Sequence, residues 1–178
     1  MLKVETGELR GKSVEIVPDS RTRYTSAIVR RSLSNMVDFE GKVCLDICAG
    51  SGSVGIEMLS NGARYVTFVD VSNLAIATIK KNVKSLGLEG KVNIRKIDAR
   101  RFLESHTGVF DIIYSDPPYE LGIVEEIVSR IHSVMDEDSI FILQCSKRER
   151  PKDNANERIR LIKEKDYGDT LLLFFQKV

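Results

Sequence analysis

The sequence contains no long hydrophobic run, and this absence excludes several classes of protein. None of its segments approaches the roughly 18 consecutive apolar residues that a membrane-spanning helix needs. The first residues, Met1 to Glu5, lack the apolar middle region of a secretion signal. We therefore expect a cytoplasmic protein with no membrane partner. The 178 residues are the length of one globular domain.

Cysteine is also scarce, with Cys44, Cys48 and Cys145 as the three examples. The one close pair, Cys44 and Cys48, lacks the two-residue gap that is typical of zinc and redox motifs. We expect all three thiols to be reduced and buried. The sequence therefore predicts neither a disulfide nor a metal site.

The net charge is only +1, which by itself predicts no polyanionic partner, but the bases are unevenly placed. Six bases against two acids lie between Arg10 and Arg31, and a second basic cluster lies within residues 147–152. Such clusters can hold the phosphates of a nucleic acid, although a solvated surface is the common meaning of a charge run. The candidate contacts are Arg10, Lys12, Arg21, Arg23, Arg30, Lys147 and Arg148.

Short apolar runs alternate with segments of helical periodicity after the first forty residues, which is typical of an α/β fold with a mainly parallel sheet. The expected strands are residues 43–46, 65–70, 92–95, 110–116 and 139–144. The expected helices are residues 54–61, 74–86, 100–105 and 123–134. The last two runs, 159–164 and 170–176, leave no room for a helix between them and should pair as an antiparallel hairpin at one end of the sheet.

The first twenty residues differ from the rest, with Gly7, Gly11 and Pro18 among alternating valine and isoleucine. This pattern predicts a small hairpin or arm. The apolar positions of residues 25–37 then predict a helix.

Several of the expected strands end at or beside an acid, and the carboxyl ends of parallel strands form the ligand-binding edge of such a sheet. Asp46 is followed by Gly50 and Gly52, which let the backbone turn sharply and approach a ligand at the start of a helix. Read literally, the spacing of Gly50, Gly52 and Gly55 is also a dinucleotide fingerprint, but alone it is a weak one. A tight turn without a ligand is the other interpretation.

Two further acids follow the next two strands. Asp70 could accept both hydrogen bonds from a ribose diol, as carboxylates do in nicotinamide and S-adenosylmethionine sites. Asp98 could accept an adenine amino group, or it could simply cap the helix that begins near Arg100. The sequence leaves these two interpretations of Asp98 open.

The tetrapeptide Asp116-Pro117-Pro118-Tyr119 follows the buried run 110–115 and falls at the same edge. Consecutive prolines have fixed φ angles and no N–H, so they form a stiff turn with unpaired carbonyl oxygens. If Asp116 and the Pro117 carbonyl each accept one N–H of an exocyclic amine, the nitrogen lone pair can be aimed at a sulfonium methyl. Tyr119 would supply a ring on which the base stacks. A proline-stiffened β-turn is the alternative.

Several motifs together resemble the RsmD family, which methylates N2 of one guanine in bacterial 16S ribosomal RNA. They are Gly7-x-x-Arg10-Gly11-Lys12, Arg23-x-Thr25, Val29-Arg30-x-x-Leu33-x-Asn35, Leu45-Asp46-x-x-Ala49-Gly50-Ser51-Gly52-x-x-Gly55-x-Glu57 and Tyr167-Gly168-Asp169-Thr170. The sequence departs from the family at Arg23-Tyr24-Thr25-Ser26-Ala27, where the usual pattern is Arg-Pro-Thr-Thr-Asp.

The resemblance implies a Rossmann-like class I methyltransferase fold, with a seven-stranded, mostly parallel sheet and a C-terminal antiparallel hairpin. A small N-terminal β-extension, residues 1–22, would precede the methyltransferase domain, residues 23–178. The resemblance also implies S-adenosyl-L-methionine as cofactor and 16S ribosomal RNA in a small-subunit assembly intermediate as partner. The cofactor would be lined by Asp46, Cys48, Ala49, Gly50, Ser51, Gly52, Asp70, Val71, Asp98 and Ala99. The guanine would be held by Asp116, Pro117, Pro118 and Tyr119.

Other functions use parts of the same pattern. Methyltransferases acting on adenine N6 or on a protein glutamine share the logic of the tetrapeptide. A nicotinamide-dependent oxidoreductase would explain the glycine loop but not residues 116–119. A non-catalytic RNA-binding protein with a degenerate fold is the remaining alternative.

Overall fold

The computed structural model describes residues 1–119 and 121–178, and its main feature is a seven-stranded sheet. The helices are α1 (Ala27–Met36), α2 (Ser53–Ser60), α3 (Asn73–Ser85), α4 (Ala99–Ser105) and α5 (Ile123–Arg130). The strands of the sheet are β3 (Val43–Ile47), β4 (Tyr65–Asp70), β5 (Val92–Lys96), β6 (Ile112–Ser115), β7 (Ile140–Ser146), β8 (Ile159–Tyr167) and β9 (Thr170–Lys177). A separate hairpin pairs β1 (Leu2–Lys3) with β2 (Ser13–Val14).

The strand order is β5-β4-β3-β6-β7-β9-β8. Strands β3 to β7 are parallel, and β9 is antiparallel to both β7 and β8. Because β3 pairs with β4 on one side and β6 on the other, the order reverses there, and such a switch point opens a crevice at the carboxyl ends of the strands. The expected mostly parallel sheet with a C-terminal antiparallel hairpin is confirmed.

Hydrophobic cores lie on both faces of the sheet, because successive strand residues point to opposite sides. In β3, Cys44 belongs to the core beneath α1, α2 and α3, whereas Leu45 belongs to the core beneath α4 and α5. In β6, Tyr114 faces the first core and Ile113 the second. Burial on both faces explains why these strands are nearly continuous apolar runs.

The element boundaries agree with the sequence to within a few residues, with two differences. Strand β6 begins two residues later than expected, because the N–H of Phe110 donates to the carbonyl of Val134 and not to a carbonyl of a neighbouring strand. Helix α5 ends at Arg130, and the last turn tightens into a 3-10 helix, Ile131–Val134.

The N-terminal segment is attached to the body by hydrogen bonds to side chains of α1 and α2. Glu57 in α2 accepts hydrogen bonds from the backbone N–H groups of Glu5 and Thr6. Val4 and Val14 are buried in the same core as α1 and α2. The expected hairpin is therefore present and packed on the domain, while its boundary at residue 22 stays a prediction.

Two further expectations concern membranes and thiols. Across residues 1–119 and 121–178, the structure has no helix of the length and hydropathy that a membrane span requires. Cys44 and Cys145 are buried free thiols. Cys48 is only partly buried, which corrects its expected burial, because the loop after β3 places it at a cavity.

Candidate active site

A cavity of about 570 Å³ opens at the carboxyl ends of β3, β4, β5 and β6. Its walls come from the loops that follow these four strands and from the segment 17–23, which precedes α1. The predicted site residues that line it are Arg21, Arg23, Cys48, Gly50, Asp70, Val71, Asp98, Ala99, Asp116, Pro117, Pro118 and Tyr119. Residues from four separate sequence motifs thus share one cavity.

The loop after β3 turns by three left-handed residues in five positions. Cys48, Gly50 and Gly52 have φ angles of 59°, 58° and 81°, a region that side chains rarely adopt. A Cβ at Gly50 would meet no atom within 4 Å, so the missing side chain leaves open space beside the cavity. At Gly52 the same atom would lie 3.2 Å from the ring of Phe68. One glycine therefore keeps space free, and the other allows the helix to pack on β4.

Asp70 connects this loop to the next strand. Its Oδ2 accepts a hydrogen bond of 2.9 Å from the N–H of Gly50, and its Oδ1 accepts one of 2.9 Å from the N–H of Ser72. A carboxylate has about four acceptor positions, and two are used here. The half-buried group keeps acceptor capacity on the cavity side, as a diol partner would require.

Asp98 caps α4, which is one of the two interpretations that the sequence left open. Its Oδ1 accepts from the N–H of Arg100 at 2.9 Å, and the Arg100 guanidinium makes two more hydrogen bonds, of 3.0 and 2.8 Å, to the carboxylate. The Arg100 hydrogen bonds lower the pKa of Asp98 to about 2. Asp98 also lines the cavity, so a contact with a ligand amino group stays a prediction.

Four of the predicted cofactor residues lie in β3 or in the loop after it, set back from the cavity surface. Asp46 is 1% exposed and accepts a 3.0 Å hydrogen bond from the N–H of Gly55, and burial raises its pKa well above the usual value. Ser51 is buried, and its carbonyl accepts from Asn82. Within the described residues, the cavity wall does not include these four positions: Asp46, Ala49, Ser51 and Gly52.

The tetrapeptide after β6 forms the opposite wall. Asp116 is half-buried, and its Oδ2 lies 3.5 Å from the Oγ1 of Thr25. Burial raises the pKa of Asp116 to about 7, against the lowering effects of Arg23 and Thr25. Pro117 is buried, whereas Pro118 is exposed.

Tyr119, which closes the tetrapeptide, already has a stacking partner. The guanidinium carbon of Arg23 lies 3.5 Å from the centre of its ring, a favourable cation–π geometry. Burial also raises the pKa of Tyr119. One face of the ring that was predicted to hold a base is therefore covered by a side chain of the same protein.

The candidate phosphate contacts are distributed unequally around the cavity. Arg21 and Arg23 line it, and Lys147 and Arg148 are exposed in the 3-10 turn that follows β7 at the same edge. Lys147 pairs with Asp166 at 2.8 Å.

Arg10 and Lys12 lie elsewhere. They are exposed near Gly7, which packs on Ser60 at the end of α2. That end of the helix points away from the cavity, so RNA contact by these two residues stays a prediction that only an extended substrate would satisfy.

The prediction for Arg30 is wrong. Its side chain is 2% exposed and donates to the carbonyl of Lys3 at 2.6 Å and to the carboxylate of Glu57 at 3.3 Å. Because a fully buried guanidinium cannot reach a phosphate, Arg30 holds the N-terminal segment instead. The pattern of charges gave no means of separating it from its exposed neighbour Arg31.

Sequence reasoning missed three polar residues behind Asp116. Thr25, Tyr114 and Gln144 are buried and form a chain of side-chain contacts that ends at the Asp116 carboxylate. Thr25 belongs to the motif Arg23-x-Thr25, which was the available sign of its importance. Tyr114 and Gln144 lie inside apolar strands, where nothing in the sequence distinguished them.

Comparison with known proteins gives consistent relatives. The family model described as Conserved hypothetical protein 95, which corresponds to the RsmD family, matches residues 2–176. The chain is 32% identical to "Putative rRNA methyltransferase YlbH" of Bacillus subtilis, with 99% of each chain covered. It is 28% identical to "Ribosomal RNA small subunit methyltransferase D" of Escherichia coli strain K12, with 79% of this chain and 73% of that protein covered.

The fold is also found among solved structures. The structure described as "Putative methyltransferase yhhF from Escherichia coli" superimposes with a TM-score of 0.87 at 24% identity, covering 99% of this chain and 97% of the other. At that identity the likeness shows the fold, and the family follows from the sequence matches, which extend over almost every residue. The chain belongs to the RsmD family of methyltransferases.

Proposed function

We propose that this protein transfers a methyl group from S-adenosyl-L-methionine to the exocyclic N2 amine of a guanine in 16S ribosomal RNA. The observation that carries the proposal is that Asp116, Pro117 and Tyr119 share one cavity with Gly50 and Asp70. A group for holding an amine and a group for holding a ribose thus lie within one ligand-sized space.

The residues of the cavity fit the proposed cofactor. Gly50 leaves open space where a side chain would stand, and Asp70 retains acceptor positions for a diol. Val71, Asp98 and Ala99 complete the same wall. When bound, S-adenosyl-L-methionine supplies an electrophilic methyl group on sulfur.

Asp116 and the adjacent carbonyl group would prepare the amine. An exocyclic base amine is a poor nucleophile, because its lone pair is delocalised into the ring. One N–H donated to the Asp116 carboxylate and the other to the Pro117 carbonyl would hold the nitrogen with its lone pair directed at the cofactor side of the cavity. The contribution of these residues is orientation and electrostatic stabilisation, and the pair of prolines keeps the carbonyl in place.

The ionisation of Asp116 sets the working pH of this arrangement. The carboxylate accepts an N–H more strongly than the neutral carboxyl, which also carries a donor hydrogen of its own, and burial raises the pKa of Asp116 to about 7. Methyl transfer should therefore increase with pH through that value and then level off.

The substrate assignment is supported by charge and by the named relatives. Arg21 and Arg23 line the cavity, and Arg148 lies in the turn after β7 at the same edge of the sheet, where phosphates would lie beside a base held on Tyr119. We propose a small-subunit assembly intermediate in the cytoplasm as the partner, because a base must be accessible before it can enter the cavity.

The test is methyl transfer to ribosomal RNA purified from a strain that lacks the enzyme. We expect labelled methyl groups in 16S RNA as N2-methylguanosine, detected by nucleoside mass spectrometry, and none with Asp116→Asn. N6-methyladenosine, or label in protein rather than RNA, would overturn the guanine assignment. Absence of any transfer, together with absence of S-adenosyl-L-methionine binding, would overturn the activity itself.

A further inference from the structure

A chain of buried side chains lies directly behind the Asp116 carboxylate. The Oγ1 of Thr25 lies 3.5 Å from the Oδ2 of Asp116 and 3.2 Å from the hydroxyl of Tyr114. The Tyr114 hydroxyl donates to the Oε1 of Gln144 at 2.6 Å. The four groups therefore follow one another from the cavity into the sheet.

Counting protons shows what the chain can do. Tyr114 has one hydroxyl proton, and it is used on Gln144, whose amide oxygen has none to return. Toward Thr25, Tyr114 can then only accept. The single hydroxyl proton of Thr25 thus has two acceptors, Tyr114 and ionised Asp116. Both oxygen–oxygen distances from Thr25, 3.2 and 3.5 Å, are accordingly longer than the 2.6 Å between Tyr114 and Gln144. Because the chain ends at an acceptor, it orients groups and does not conduct protons out of the site.

We propose that Thr25 is a positioning residue, whose hydroxyl donates to the Asp116 carboxylate and turns its second oxygen toward the amine in the cavity. This inference rests on the proposed function. When Asp116 is protonated, the carboxyl donates to Thr25, and Thr25 donates to Tyr114. When Asp116 is ionised, the Thr25 hydroxyl turns to it and releases Tyr114. Because a hydrogen bond to a carboxylate is stronger than one between neutral groups, Thr25 favours the ionised, accepting form, and Tyr114 competes with Asp116 for the same proton.

The backbone of Thr25 is held firmly enough for this role. Its carbonyl accepts a 3.2 Å hydrogen bond from the Nε of Arg30, whose guanidinium pairs with Glu57. Ser26 then caps α1 with a hydrogen bond from the N–H of Val29. Thr25 is thus anchored to α1 and, through Arg30, to α2.

Other charged and titratable groups near Asp116 act on the same equilibrium. They lie in the segment before α1, in β3 and the loop after it, in β6 with its following turn, and in β7: Arg23, Asp46, Cys48, Tyr114, Tyr119 and Cys145. Thr25 touches one of these groups, Tyr114, so the titration of Asp116 is compared in Thr25→Val and in Tyr114→Phe to separate the two contacts.

The test is a ¹³C carboxyl NMR titration of Asp116 in the full chain without added ligand. Thr25→Val removes the hydroxyl at constant shape and should raise the pKa of Asp116 by roughly one unit. Thr25→Ser keeps the hydroxyl and should restore the wild-type titration. Tyr114→Phe removes the competing acceptor and should shift the pKa downward. Equal titrations of wild type, Thr25→Val and Tyr114→Phe, or shifts in the same direction, would overturn the inference.

Activity gives a second and separable readout. In wild type and Thr25→Ser, the pH profile of kcat should follow the NMR titration, whereas Thr25→Val should lose about tenfold at pH 7 and recover part of it at pH 9. A purely structural role would lower stability and leave the profile unmoved. If Thr25→Val does not fold, the opposite shift in Tyr114→Phe still decides the matter. Inactive wild type with the expected NMR shifts would contradict the proposed function and leave the Thr25 contact standing.

Discussion

Asp46 and Asp116 are acids of adjacent strands whose pKa values are both raised by burial, yet their positions give them different uses. Asp46 is fully enclosed and accepts from the N–H of Gly55, so its carboxyl holds the first turn of α2, which follows the glycine loop. Asp116 faces the cavity and titrates near neutral pH. Perturbed groups in a cleft are candidates for chemistry, and the geometry selects Asp116 from this pair.

Substitution of Asp116 and Asp70 should separate turnover from cofactor binding. Asp116→Asn should reduce kcat to background while S-adenosyl-L-methionine affinity stays within a few fold, because Asp116 is proposed to touch the amine. Asp70→Ala should weaken cofactor binding first, because it removes the diol acceptor and the hydrogen bond to Gly50. Calorimetric binding and single-turnover methylation measure the two effects. A large loss of cofactor affinity in Asp116→Asn would show that its role is wrongly assigned.

The raised pKa of Asp116 also makes a prediction about stability. The folded value of about 7 lies above the ordinary value of about 3.9 expected in the unfolded chain. Between these values the folded state binds the proton more tightly, so the contribution of Asp116 to stability falls as pH rises and is constant above about pH 7. Asparagine does not titrate.

The melting temperature of Asp116→Asn relative to wild type should therefore increase from pH 5 to pH 8. Thermal unfolding at the two pH values measures it. Asp138→Asn in an exposed turn is the matched control and should show no such trend. A constant or decreasing difference for Asp116→Asn would contradict the burial of its charge.

At the scale of elements, the ion pair of Arg30 and Glu57 joins three of them. Arg30 lies in α1 and Glu57 in α2, and both bond the backbone of the N-terminal segment. Removing one partner of a buried pair leaves an uncompensated charge, which costs about 3–5 kcal/mol.

Arg30→Ala should therefore lower the free energy of unfolding by about 3–5 kcal/mol and speed amide exchange at Glu5 and Thr6. Arg31→Ala is the matched control: its side chain is 54% exposed and lies 3.8 Å from Glu5, so a change within about 0.5 kcal/mol is expected. Urea unfolding and hydrogen exchange measure both. Equal losses in the two variants would show that the pair does not hold the segment.

For the whole molecule, the net charge of +1 is less informative than where the bases lie. Arg21, Arg23 and Arg148 are at the carboxyl edge of the sheet, whereas Arg160 lies on β8 at another groove. A side chain that contacts a phosphate releases counterions. Each such contact therefore adds about 0.7–0.9 to the magnitude of the slope of log affinity against log salt concentration for RNA binding.

Arg148→Ala should reduce the slope of log affinity against log salt by about that amount, with all sequences weakened alike. Arg160→Ala, an equal change of charge away from the cavity, should leave the slope unchanged. Filter binding of small-subunit RNA over a salt series provides the measurement. Equal effects of the two substitutions would place the RNA over a wider surface than the cavity edge.

Interpretation from the sequence succeeded where local pattern and topology coincide. Apolar runs located the strands, because parallel strands are buried on both faces, and the acids at their ends indicated the ligand-binding edge. It failed for Arg30, because charge predicts exposure unless a buried partner is known, and Glu57 is 27 residues away.

By itself, the sequence determined the succession of strands and helices along the chain, the glycine turn after β3 and the acid–proline corner after β6. Each of these depends on residues that are close together in the chain. Only the tertiary structure decided which of the strand-end acids face the cavity, which arginine is buried, and that Thr25 reaches Asp116 across 91 residues. Those outcomes depend on burial and on partners from distant segments, and a desolvated charge or a shared proton has no local signature in the chain.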